Sequence, residues 1–184
     1  MNLTRFIPAA GLTSAVLFLG LSKASAEVSV SKIFGDHMVL QQEAPIRIWG
    51  AANPGEQVIV GVAGGGNALV KADDSGRWKV ELPAMKADGK AHTITVQGSK
   101  EEDKVTLKDV LIGEVWLCSG QSNMEWSVRQ SMNADREISG AKHPQIRLFN
   151  VPGHVRNAEP MDDPRGQWQI CSPQTISGFT AVGY

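Results

Sequence analysis

Cysteine and histidine are scarce in this chain of 184 residues, which holds two of the first and four of the second. Cys118 and Cys171 show no C-x-x-C spacing, so no thiolate metal site is implied and no metal is expected. Both are expected as free thiols. Cys118 ends an apolar run, where a thiol packs as a small apolar group, and Cys171 lies in a Pro-flanked loop. An excess of either charge is also missing: 18 Lys and Arg stand against 19 Asp and Glu, a formal net charge of -1. Neither a nucleic-acid partner nor an acidic surface partner is implied. No internal repeat and no low-complexity tract occurs.

The apolar run from Ile7 to Leu21 is too short and too interrupted to span a bilayer comfortably. Arg5 before it and Ala24-Ser25-Ala26 after it make residues 1–26 read as a secretory signal, cleaved after Ala26 to leave Glu27 first. The mature chain is then secreted or periplasmic, with no stable membrane insertion. An uncleaved N-terminal anchor is the alternative. No oligomeric state is implied.

Residues 27–107 read as an all-β module. The spacing predicts strands at Val28–Phe34, Met38–Gln41, Ile46–Trp49, Gln57–Val62, Ala68–Ala72, Trp78–Leu82, His92–Gln97 and Lys104–Leu107. Turn chemistry separates them, as at Asn53-Pro54-Gly55, Asp73-Asp74-Ser75-Gly76 and Asp88-Gly89. Short strands at regular intervals argue for a small sandwich. Trp49 and Trp78 are expected in its core, and His37 and His92 in turns or at the surface.

The composition shifts near Lys108-Asp109. The run Val110 to Cys118 reads as a strand buried on both faces, of the kind found in parallel sheets. It ends in Ser119-Gly120-Gln121-Ser122-Asn123, a small-residue turn that opens a helix. Such a turn delivers a hydroxyl to the carboxyl end of a strand, where open α/β sheets place their sites. Ser122 is the candidate nucleophile for acyl transfer, with the Gln121 amide and the Ser122 N–H as candidate oxyanion donors. The bland alternative is a turn with a helix cap. Met124 replaces the second Gly of a Gly-x-Ser-x-Gly elbow, so that motif is absent. Further on, helices are expected at Glu125–Gln130 and Asn133–Ala141, closed by His143-Pro144. A second parallel strand is expected at Ile146–Val151, a loop at Pro152–Pro164, and a helix opening at Ser177.

The block from Gly113 to Met124 resembles the nucleophile block of the sialate O-acetylesterase family, a branch of the SGNH hydrolase superfamily. Asp36-His37-Met38-Val39-Leu40-Gln41, Ile48-Trp49-Gly50 and Asn53-Pro54-Gly55 are similar to that family's N-terminal β region. Trp168, Cys171-Ser172-Pro173 and Phe179 to Tyr184 resemble a later stretch of it. The resemblance implies a β-rich sandwich module followed, over residues 108–184, by the first part of an SGNH-type, flavodoxin-like α/β domain. It also implies a serine esterase that needs no cofactor and acts on an O-acetylated sugar, sialic acid or another.

The resemblance further implies a base from an Asp-x-x-His block. Three places before His37, His92, His143 and His154 stand Phe34, Gly89, Gly140 and Val151, so that block does not occur here. His154, in the loop after the expected second strand, is either a solvated loop residue or a group that approaches Ser122. The expectation is an esterase chain that carries the nucleophile without its base and is by itself inactive. The alternative is a non-catalytic carbohydrate-binding module or decayed esterase.

Overall fold

The computed structural model describes residues 27–151 and 164–184. The expected signal, residues 1–26, and the expected loop from Pro152 on, His154 included, up to residue 163, lie outside the described residues. The described strands are β1 Ser29–Val30, β2 Val39–Gln41, β3 Ile46–Ala51, β4 Gln57–Val62, β5 Gly66–Lys71, β6 Arg77–Leu82, β7 His92–Gln97, β8 Lys104–Gly113, β9 His143–Phe149 and β10 Trp168–Cys171. The helices are short: α1 Ser122–Glu125 and α2 Ala134–Gly140, with 3-10 turns at Val128–Gln130 and Ile176–Gly178.

One sheet has the order β1-β3-β6; a mixed sheet has the order β2-β8-β7-β4-β5. Strict alternation explains why these segments pair as they do. Ile46 and Ile48 of β3, Trp78, Val80 and Leu82 of β6, Val58, Val60 and Val62 of β4, and Ile94 and Val96 of β7 all enter one apolar core. Each fully buried Val or Ile contributes about 1.5–3 kcal/mol relative to exposure. The turns are cut to fit. Gly76 has φ 80°, and a Cβ there would stand 2.6 Å from the Ala52 carbonyl oxygen. Asp73 Oδ1 accepts from the N–H groups of Ser75 and Arg77 at 2.8 and 2.9 Å, closing the β5–β6 turn.

The strand expected to stop at Leu107 continues to Gly113. The composition shift at Lys108-Asp109 marks a bulge in it. Ile94 of β7 pairs with Leu107, but His92 pairs with Val110, so β8 carries one extra residue. Asp109 sits there with φ 54°. Past the bulge, Leu111–Gly113 pair in parallel with Val39–Gln41 of β2. The apolar run is thereby divided. Val110, Leu111 and Ile112 are buried in the mixed sheet, while Val115, Trp116 and Leu117 are 45, 84 and 92% exposed. Among the described residues no strand offers them a ladder.

Other expectations are corrected. The strand at His143–Phe149 pairs antiparallel with Trp168–Cys171, not in a parallel sheet, and His143-Pro144 opens it instead of closing a helix. Residues 125–130 are split between the end of α1 and a 3-10 turn, because Trp126 adopts extended backbone. Asn133 precedes α2 with φ 59° and makes no side-chain cap. Residues 177–184 carry the end of a 3-10 turn and a bridge, not a helix. Trp78 is buried, but Trp49 is 37% exposed because β3 turns it to the outer face. His92 is buried, and its ring nitrogens meet the Ala63 carbonyl and Asp88. Cys118 is an exposed free thiol, and Cys171 is a buried one within β10.

Candidate active site

The segment that carries Ser122 leaves β8 under firm control and then runs open. Gln41 and Gln42 donate their side-chain amides to the Glu114 carboxylate at 3.0 and 2.7 Å. Gln41 Oε1 accepts from the Val115 N–H at 2.9 Å. These amide donors, Gln41 first, hold the Glu114 carboxyl below its usual range. Beyond this clamp the chain is exposed through Gln121.

A small-residue turn then opens α1. A Cβ on Gly120 would stand 3.0 Å from the Met124 side chain, so the turn has little room for more. The Met124 N–H donates to the Gln121 carbonyl at 2.9 Å. Ser122 is the first residue of α1 and is exposed. Gln121 is exposed beside it and makes no side-chain cap. Behind α1, the chain end straps the segment down. Ala181 N–H donates to the Trp126 carbonyl at 2.8 Å, and Val128 N–H donates to the Phe179 carbonyl at 3.0 Å. A small second core of Val128, Ala141, Leu148, Cys171 and Ile176 lies beneath.

Among the described residues no side chain is hydrogen-bonded to the Ser122 hydroxyl. The structure therefore presents Ser122 and Gln121 together but does not join them to a base. A histidine–carboxylate pair does exist elsewhere, and sequence reading missed it. His37 Nδ1 is 2.6 Å from Asp109 Oδ2. Arg147, only 4% exposed, donates to the same carboxylate through both terminal nitrogens, at 2.7 and 3.1 Å. Arg147 first and His37 second hold the Asp109 carboxyl below its usual range. This is a joint between the turn before β2, the β8 bulge and β9. Trp168 adds to it by donating its indole N–H to the Ile33 carbonyl at 2.7 Å. Residues 37 and 109 are far apart in sequence, so only the bulge, itself signalled by Lys108-Asp109, could have hinted at the pair. Among the described residues no three His, Cys, Asp or Glu side chains group as a metal site.

The chain is β-rich and presents an exposed serine on a small-residue turn, with no side chain among the described residues bonded to its hydroxyl. Comparison with known proteins finds similarity to sialate O-acetylesterases. It is 37% identical to sialate O-acetylesterase of Mus musculus over 137 residues, which is 70% of this chain and 25% of the relative. It is 41% identical to the Homo sapiens enzyme over 123 residues, 62% of this chain and 23% of the relative. The chain thus spans about a quarter of the length of the curated relatives it matches. The crystal structure of a carbohydrate acetylesterase from Xanthomonas citri is similar at TM-score 0.79 and 36% identity, covering 85% of this chain and 35% of that one. No family model matches.

Proposed function

We propose that this chain carries the nucleophile of an exported carbohydrate O-acetylesterase. The observation behind the reading is the Ser122 turn: an exposed hydroxyl at the head of α1, in a chain homologous to acetylesterases. Ser122 Oγ attacks the acetyl carbonyl carbon and gives its proton to a general base. The tetrahedral oxyanion is met by the Ser122 N–H and the Gln121 amide. The sugar oxygen leaves with a proton, and water then releases acetate from the acyl-enzyme. The substrate is an O-acetylated sugar, sialic acid or another, and no cofactor takes part. The proposed organisation is a signal at 1–26, a sandwich-like module at 27–107 and the first part of an SGNH-type esterase segment at 108–184. Export predicts a mature N-terminus at Glu27, which N-terminal sequencing reads directly.

The test uses the product of the gene that encodes this chain. Acetate release from 9-O-acetylated sialic acid and from acetylated xylan is expected to fall on the order of 10³-fold or more in Ser122→Ala, with the circular dichroism unchanged. A fluorophosphonate is expected to label the parent and not the variant. Acetate release that survives Ser122→Ala overturns the assignment. The 184-residue chain alone is expected to release little acetate. A second reading, a non-catalytic glycan-binding module, is favoured by the observation that among the described residues no base is bonded to Ser122. It takes the lead if the parent protein binds glycans but releases no acetate and resists the fluorophosphonate.

A further inference from the structure

Two shallow depressions, of about 350 and 330 Å³, adjoin where the chain enters β10, and they share Gly166 and Gln167. The first is lined by Lys32, Phe34, Asp36 and His37 on one side and by Gln167 and Trp168 on the other. The second is lined by Asn150, Arg165, Gln167 and Gln169. No residue of the Ser122 turn lines either one.

The walls are held in place. Trp168 is fixed by its bond to the Ile33 carbonyl, and its ring lies 5.2 Å from that of Phe149. Asp109 takes Nδ1 of His37, which leaves Nε2 as the open nitrogen. The strip between the depressions must stay bare: a Cβ on Gly166 would stand 2.7 Å from the Asn150 carbonyl oxygen and 2.8 Å from the Phe149 ring. Arg165 is exposed and, among the described residues, has no ion-pair partner.

These groups form a coherent set. Three side-chain amides, each both donor and acceptor, match vicinal hydroxyls. The indole supplies an apolar wall for the C–H face of a pyranose. A guanidinium fork fits a carboxylate in two parallel hydrogen bonds. We propose that this groove is a glycan-binding site, separate from Ser122, that takes a carboxylate-bearing oligosaccharide with its carboxylate at Arg165. The assignment rests on the carbohydrate-directed reading above for the class of ligand, and on the groove for the place.

The test is calorimetric titration of the gene product carrying Ser122→Ala, so that esterase chemistry does not enter, with 3′-sialyllactose and with lactose. Binding of 3′-sialyllactose is expected, weakened about tenfold by Arg165→Ala combined with Gln167→Ala, and about fivefold weaker for lactose. Both substituted side chains are exposed, and circular dichroism checks the fold. No binding at about 10 mM, or equal affinity in the double variant, overturns the site. Lactose binding as tightly as 3′-sialyllactose overturns the carboxylate assignment. Acetate release by the parent without groove binding defeats only this inference. Groove binding without acetate release by the parent defeats only the esterase reading.

Discussion

Residues 27–113 and residues 114–184 spend the same apolar residue types differently. In the first region Ile46, Ile48, Val58, Val60, Ile94 and Val96 are all within 3% of complete burial, because two sheets close over one core. In the second, Val128, Leu148 and Ile176 are buried, yet Trp116, Leu117 and Met132 are at least 84% exposed. Local strand pairing can satisfy the first region from its own residues. The segment that bears Ser122 keeps its most apolar stretch in the open, clamped at Glu114 and strapped at Trp126. Low local burial beside a well-packed core makes this segment the easier of the two to deform.

The difference can be broken or sharpened by substitution. Ile48→Ala is expected to cost about 3 kcal/mol and shift the whole urea transition, since a cavity in the closed core has little freedom to collapse. Ile176→Ala, equally buried, is expected to cost about 2 kcal/mol, because the small core beside exposed chain can relax into the space. Its effect should appear first as faster hydrogen exchange near Val128 and α2. Equal losses, with exchange rising uniformly, would erase the distinction between the regions.

The joint between them gives a smaller effect. Arg147→Ala removes both bonds to Asp109 and is expected to cost about 2 kcal/mol. Arg147→Lys is expected to recover less than half, because an ammonium cannot reproduce the fork. Denaturation midpoints of the two variants decide this, and full recovery by Lys would reduce the joint to simple charge.

The smallest effect lies inside the first region and depends on pH. Glu56 accepts from the Ser99 N–H at 2.9 Å and from the Asn53 N–H and side-chain amide at 3.0 and 2.8 Å. These bonds, that from Ser99 first, lower its carboxyl from 4.5 to about 2. The folded value lies below the unfolded one, so the contribution is full above pH 4.5 and is lost as pH falls through about 2. Glu56→Gln is expected to cost about 1 kcal/mol at pH 7, with the gap to the parent closing as pH falls from 4.5 toward 2. A gap that stays constant down that range would exclude the charge as its source.

Legibility followed the same division. β4 and β7 lie where alternation placed them, from Gln57 to Val62 and from His92 to Gln97, because a period of two with turn residues at both ends leaves few competing pairings. The Lys108-Asp109 signal was visible and its meaning was not. A change of composition can end a strand or bulge it, and only the offset of His92 against Val110 tells which. The run from Val110 to Cys118 reads as one apolar strand, yet it is cut at Gly113, where β2 ends and the ladder with it. Ser122 and Gln121 were legible as a turn with a hydroxyl. Which side chains would lie near that hydroxyl was not, since that is a matter of distance between remote residues.

The order of residues alone determined the alternation of β3, β4, β6 and β7, the Gly and Asp turns of the first region, and a serine at the opening of a short helix, whereas the strand expected at Val28–Phe34 is reduced to Ser29–Val30. These are local outcomes, set by side-chain period and by backbone freedom at single positions. The tertiary structure decided that Asp109 would meet Arg147 and His37, that β9 would turn back antiparallel against β10, and that a groove would open beside Trp168. Each of these joins residues tens of positions apart, and such contacts exist only once both partners have been packed into place.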